Sequence, residues 1–214
     1  SYSKERKQKE AKEMVMSEHF YGSVKHDGSW EMIIRDNAGN FHARSRTESV
    51  NGGFQDKAEW IPQIIKELNF LPNNSVVIGE IYFPNNEGSR KITSVFNCLK
   101  DKCIDRQKKN GFLHFYIFDV LAYDNKALLN TEFENRIKLL NSLPRSDNYV
   151  NYIDYAEYKK GQELWELYCK TIADGGEGIV IQKDTSIYQQ NKRTARQSLK
   201  LKKELSDTID AFLR

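Results

Sequence analysis

The chain is poor in the residues that staple or interrupt a fold. Only three of its 214 residues are cysteine, namely Cys98, Cys103 and Cys169, an odd and sparse set. That excludes the disulfide framework of a small secreted domain and points to a reducing compartment. Their spacing forms no zinc site, so they read as buried free thiols. Four prolines leave few forced breaks, and no internal repeat is visible. No apolar run approaches the roughly 18 residues of a membrane span, and no signal-peptide core follows the N-terminus. A phosphate loop of the P-loop or dinucleotide type is missing too. Gly175-Gly176-Glu177-Gly178 is glycine-dense but lacks the Lys-Ser/Thr ending and the strand-before-helix setting. His19, His26, His42 and His114 show no helical metal pairing. No nucleophile elbow marks a serine hydrolase.

What is present is a foldable, mildly basic composition. The hydrophobic fraction is 39% and the aromatic fraction 12%, which excludes disorder over most of the chain. A chain of this length buries about two-thirds of its unfolded surface. Thirty-three Lys and Arg against thirty Asp and Glu leave a net charge of +3, which permits a nucleic-acid partner without requiring one. The charge is uneven. Residues 4–12, KERKQKEAK, mix both signs and form a solvated lead-in to which no function attaches. Residues 183–203 carry Lys183, Lys192, Arg193, Arg196, Lys200, Lys202 and Lys203 against Asp184 alone. Such a segment is either a solvated edge that deters strand aggregation or a surface for phosphates, and composition does not choose between them.

The periodicities mix strands and helices. A turn-like Asp27-Gly28-Ser29 leads into a strand ending near Arg35. The turn Asn37-Ala38-Gly39-Asn40 separates it from a second strand over 41–46, which predicts an antiparallel hairpin. Residues 57–70 place Trp60, Ile61, Ile64, Ile65 and Leu68 on one helical face. SVVIGEIYF (75–83) and FLHFYIFDVLAY (112–123) are apolar, β-branched or aromatic runs, hence buried strands. Helices are predicted over 131–143, with Thr131 and Glu134 spaced as a capping box, and over 161–173, with Leu164, Trp165, Leu167, Tyr168 and Ile172. Strands over 178–183 and 198–203 close the chain. The pattern is α+β, with antiparallel sheets flanked by helices.

The informative anomaly is charge inside apolar strands. Glu80 interrupts VVIGEIYF, Asp119 interrupts FYIFDVL, and Glu177 abuts GIVIQK. Lys200 and Lys202 alternate with Leu199 and Leu201, so both lysines face one way. Lys25 ends an apolar approach just before Asp27-Gly28. One such group is ordinarily a sheet-edge charge. Burying an unpaired ion costs several kcal/mol, so five elements carrying one each make sense if they converge on a cleft for a charged ligand.

These residues also spell a family. Lys25-His26-Asp27-Gly28, Gly79-Glu80, Phe118-Asp119, Glu177-Gly178-Ile179-Val180 and Lys200-Leu201-Lys202 match, in order, the five motifs of the covalent nucleotidyltransferases. That superfamily holds DNA ligases, RNA ligases and mRNA-capping guanylyltransferases. One Lys-x-Asp-Gly is a weak signal, whereas five ordered motifs across nearly the whole chain are a strong one. The chain most resembles the adenylation domain of an ATP-dependent DNA ligase, through Ser45-Arg46, the stretch 79–98 and the tail Ser206-Asp207-Thr208-Ile209-Asp210. One position departs: family ligases commonly carry a phosphate-contacting arginine two residues after the first-motif glycine, where this chain has Trp30. Arg35, Arg44 and Arg46 are the available substitutes.

The resemblance implies a nucleotidyltransferase (ATP-grasp-like) domain over residues 1–205 with a central nucleotide cleft. Residues 206–214 would be a junction toward an OB-fold domain of a longer protein. Lys25 would become bonded to AMP from ATP, with Lys200 and Lys202 as catalytic cations. Asp27, Gly28, Arg46, Glu80, Phe118, Glu177 and Lys183 would line the nucleotide site: Glu80 and Arg46 at the ribose, Phe118 on adenine, Lys183 at adenine or phosphate. Asp119 would instead orient neighbouring strands. Glu177, then Asp27, would hold Mg²⁺. The implied partner is nicked double-stranded DNA, the implied state a monomer, and the implied setting the cytoplasm of a bacterial or phage-infected cell. Without its OB-fold partner the domain is expected to form lysyl-AMP poorly and to seal nicks weakly. An RNA ligase, a guanylyltransferase and a non-catalytic basic nucleic-acid-binding module are the alternatives.

Overall fold

The computed structural model describes residues 19–46, 48, 52–84, 88–145, 148–158, 161–189 and 197–202. The lead-in, Lys192, Arg193, Arg196, Lys203 and the junction over 206–214 lie outside the described residues. Ten strands are described: β1 (Phe20–Val24), β2 (Ser29–Arg35), β3 (Phe41–Ser45), β4 (Ser75–Tyr82), β5 (His114–Tyr123), β6 (Lys126–Ala127), β7 (Val150–Tyr152), β8 (Ala156–Tyr158), β9 (Gly178–Lys183) and β10 (Ser198–Lys202). Five helices accompany them: α1 (Pro62–Glu67), α2 (Gly88–Phe96), α3 (Lys100–Asn110), α4 (Phe133–Ser142) and α5 (Gly161–Ala173). They divide into two compact units. One takes residues through His26, Asn130–Asn135 and those from Ile153 onward; the other takes Asp27–Leu129 and Arg136–Tyr152.

In the first unit an antiparallel sheet runs β10-β9-β1-β8. Strand alternation decides which side is apolar. Phe20, Ile179, Ile181, Leu199 and Leu201 form one buried cluster with Leu164 and Tyr168, spaced four apart on α5. Burying each such side chain contributes about 1.5–3 kcal/mol. The lysines at 200 and 202 stay half-buried on the opposite side, as their alternation with leucine requires. Trp165, at 51% exposure, stands off this face. Cys169 is exposed as well and Cys98 is half-buried, so the expectation of buried thiols holds fully only for Cys103.

In the second unit the sheet order is β3-β2-β4-β5-β6, with β7 added to β5. The predicted hairpin of β2 and β3 forms, and all pairs are antiparallel except β5 with β7. Ile33, Val77, Ile81, Phe115 and Ile117 are completely buried, and α2 packs on β2 and β4.

Two helices differ from expectation. Residues 57–70 are not one helix but two 3₁₀ turns, Ala58–Trp60 and Leu68–Phe70, around α1. Pro62 supplies the break, since it restricts the residue before it, and Ile61 has φ −131° and ψ 50°. Ile61, Ile64 and Leu68 are still fully buried. The helix predicted from 131 begins at Phe133, which puts Thr131 before the cap position. The N–H groups of Phe133 and Glu134 donate to the carbonyls of Ser186 and Asp184 at 2.8 and 2.9 Å.

Candidate active site

The pairing of β1, β9 and β10 brings three motifs of the first unit together. Lys25 follows β1 directly and extends its pairing, its N–H donating to the Gly178 carbonyl at 2.8 Å. Glu177 stands just before β9, and Lys202 lies opposite Gly178 on β10. The side chains meet accordingly. Lys25 Nζ lies 2.6 Å from Glu177 Oε2, and Lys202 Nζ 2.9 Å from Glu177 Oε1. Lys200, opposite Val180, shares the face of Lys202. Tyr168 of α5 donates its hydroxyl to the Lys202 carbonyl at 3.2 Å and pins the end of β10. Gly178 has no substitute here: its φ is +144°, and a Cβ would sit 1.8 Å from the Leu201 carbonyl oxygen.

This cluster is sheltered. The side chains of Lys25 and Glu177 are 17% and 24% exposed, so water screens their pair less than it screens a surface bridge. Burial pushes the Glu177 carboxyl up, but hydrogen bonds from Lys25 and Lys202 outweigh it and hold the carboxyl below its ordinary value. Burial first, and the Lys25 charge second, lower His26 to about 4. His26 is therefore neutral near pH 7 and a poor proton acceptor.

Lys183 does not join this face. It lies opposite Phe20 and in phase with Ile179 and Ile181, which places it on the core side of β9; Gln182, opposite Tyr21 and Ser198, takes the side of Lys200. The expected nucleotide contact at Lys183 would therefore have to be made from the other side of β9. Gln182 was not anticipated, because an uncharged polar residue beside a lysine gives no signal until the register is known.

The second unit holds the other predicted residues. Gly28 lies tight against β4: a Cβ there would come 2.5 Å from the Glu80 side chain and 2.4 Å from the Ile81 carbonyl oxygen. The Lys-x-Asp-Gly glycine and the Glu80 motif are thus neighbours, and Asp27 precedes them half-buried. Glu80 is opposite Trp30 on one side and Tyr116 on the other. The Arg46 guanidinium stacks over the Trp30 ring at 5.4 Å. Phe118 falls at a bulge of β5, since Ile78 pairs with Asp119 and Gly79 with Ile117.

Asp119 is not one of the converging open charges. Its carboxylate takes two hydrogen bonds from Arg136 of α4, Nε to Oδ1 at 2.8 Å and Nη2 to Oδ2 at 2.9 Å. Burial pushes its carboxyl up, while Arg136 opposes the shift. Asp119 therefore fixes β5 to α4, the orienting role that was the other reading of it. Arg35 is also committed elsewhere, donating to the carbonyls of Asn69 and Leu71.

A family model described as the ATP dependent DNA ligase domain matches residues 3–202, and the chain belongs to that family. The DNA ligase of Saccharolobus shibatae is 24% identical over 193 residues, covering 87% of this chain and 31% of that protein. That of Saccharolobus solfataricus is 23% identical with the same coverage. The chain thus spans about a third of the length of the curated relatives it matches. The ATP-dependent DNA ligase of bacteriophage T7, solved with ATP, has a TM-score of 0.63 at 18% identity, over 94% of this chain and 66% of that one. The ligase domain of M. tuberculosis LigD gives 0.61 at 23%, over 86% and 53%. The fold is that of these domains, mixed helix and antiparallel sheet. The curated relatives are archaeal, which leaves the expected bacterial or phage-infected host without support. Among the described residues no helix is long and apolar enough to cross a membrane.

Proposed function

We propose that the chain is the adenylating part of an ATP-dependent DNA ligase and that Lys25 carries AMP. The observation that carries this reading is the carboxylate of Glu177, just before β9, bridging Lys25 after β1 and Lys202 on β10, the two strands that flank β9. It fixes the lysine nitrogen beside a second cation on a sheltered face. A lysine suits the role because it can lose its proton, as arginine cannot.

The steps follow from the residue types. Lys25 Nζ gives up a proton to water, while Glu177, held ionised between the two lysines, orients the amine. The nitrogen lone pair forms a bond to the α-phosphorus of ATP, and the bond to the bridging oxygen breaks, releasing pyrophosphate. Lys200 and Lys202 meet the charge on the α-phosphate oxygens as fixed stabilisers. Phe118 stacks on adenine, and Glu80 and Arg46 hold the ribose. The AMP then passes to the 5′-phosphate of a nick, and a 3′-hydroxyl displaces it to seal the strand. By the same resemblance the protein works as a monomer, with an OB-fold domain closing over the nucleotide.

Mg²⁺ fits this donor set in one way only. Among the described residues no three His, Cys, Asp or Glu side chains gather as a cage. A lone carboxylate already serving two lysines suits an ion held mainly by water and phosphate. Glu177 and Asp27 would hold it, and it would supply charge neutralisation on the phosphates.

Intact-mass measurement after incubation with ATP and Mg²⁺ tests the reading. The protein should gain one AMP, and Lys25→Ala should gain none. Uptake from GTP instead of ATP would make it a guanylyltransferase. A nicked-duplex assay that demanded ribose on both sides of the nick would make it an RNA ligase. Binding without uptake, indifferent to Lys25→Ala, would leave a non-catalytic basic module.

A further inference from the structure

We infer that Trp30 is a positioning residue for nucleotide transfer: its indole face holds the Arg46 guanidinium in one rank with Glu80, where the pair grips the ribose-phosphate of the nucleotide. This rests on the proposed adenylation at Lys25. The register makes the rank. Trp30 lies opposite Glu80, and Glu80 opposite Tyr116. Glu31 lies opposite Ser45, so Arg46, one residue on, comes level with Trp30. Its guanidinium carbon is 5.4 Å from the ring centroid. Arg46, Trp30, Glu80 and Tyr116 thus follow one another across four strand positions.

The end of β3 is held on both faces by consecutive residues of β2. On one face Trp30 carries Arg46. On the other the Ser45 hydroxyl donates to Glu31 Oε2 at 2.9 Å, and Glu31 is completely buried. An exposed arginine at a strand end would otherwise sample many rotamers and lose that freedom on binding. A guanidinium lying on an indole keeps its N–H edges free for hydroxyl or phosphate oxygens. Trp30 carries no charge to set against a phosphate. It replaces the arginine that family ligases commonly place there by presenting another one. Arg35 cannot do this, because its guanidinium is spent on the carbonyls of Asn69 and Leu71.

The test measures AMP uptake on Lys25 against ATP concentration for wild type, Trp30→Ala, Trp30→Phe, Arg46→Ala and Trp30→Ala/Arg46→Ala. Trp30→Ala should raise KM for ATP about three- to tenfold while kcat changes less. Trp30→Phe, which keeps a ring face, should recover most of that. In the double variant Trp30→Ala should add nothing to Arg46→Ala. Multiplying effects, or a lowered melting temperature with KM unchanged, would overturn the assignment. If Trp30→Ala does not fold, the fluorescence of Trp30 in a Trp60→Phe/Trp165→Phe background decides. ATP should change it, and Arg46→Ala should abolish that change; a response that survives Arg46→Ala refutes the role. Wild type that takes up no AMP at all sinks the parent reading, whereas wild-type uptake with indifferent Trp30 variants sinks only this one.

Discussion

Two carboxylates, one half-buried and one buried, show how residue-level environment sets charge. Glu177 has two lysines in hydrogen-bond contact and is held ionised, its carboxyl below the ordinary range despite burial. Glu31 is completely buried on β2 with one donor, Ser45. Burial outweighs that hydrogen bond and the charge of Lys57, and pushes its carboxyl up to about 7. Lys57 is buried as well, but its amine donates to Asn97 Oδ1 at 2.6 Å, and Asp56 adds a repulsive charge to Glu31. The sign follows from the direction. A carboxyl whose folded pKa is raised contributes stability that is complete below the unfolded pKa and is lost as pH rises through 7. Glu31→Gln, which cannot ionise, should therefore be more stable than wild type at pH 8, by an amount on the order of 3 kcal/mol, and the gap should narrow to roughly 1 kcal/mol or less by pH 5. Denaturant unfolding at the two pH values checks it. An equal gap at both would mean that Glu31 does not titrate in this range.

At the scale of elements, the link between β5 and α4 is a buried ion pair with two hydrogen bonds. Arg136 is completely buried and Asp119 nearly so. Removing one partner leaves an uncompensated charge. Arg136→Leu should cost about 3–5 kcal/mol of unfolding free energy, and adding Asp119→Leu should recover part of the loss. Urea unfolding of both variants would reject the pairing if the double variant were the less stable by the sum of the two. The same pair marks a limit of what the sequence discloses. A carboxylate inside FYIFDVL announces only that something must compensate it, and Arg136 lies seventeen residues away on another element. Where a local period carries the information, the sequence suffices: Leu-Lys alternation placed Lys200 and Lys202 on one face, and α5 runs over the residues its apolar spacing predicts. Over α3 there is no such period. KDKCIDRQKKN buries only Cys103 and Gln107, so the helix gives no apolar stripe to recognise. Lys183 shows what charge alone does not disclose: one step of strand alternation puts it on the opposite side of β9 from Lys200 and Lys202.

At the scale of the whole molecule, the net charge of +3 is too small to draw a polyanion by itself, and the distribution matters more. Seven cations face one anion over residues 183–203. Lys202 and Lys25 are tied to Glu177, which leaves their charges partly compensated before any phosphate arrives. If the proposed ligase engages nicked duplex DNA through this stretch of sequence, binding displaces counterions from the backbone. With about four phosphates neutralised, the logarithm of the association constant should fall against the logarithm of salt concentration with a slope near −4, a loss on the order of 10²-fold between 50 and 200 mM. Because phosphates carry no sequence information, two nicked duplexes of unrelated sequence should give the same slope. Fluorescence anisotropy across a salt series measures both quantities. A slope flatter than about −1 would mean that the basic stretch is a solvated sheet edge and that any duplex contact is made elsewhere.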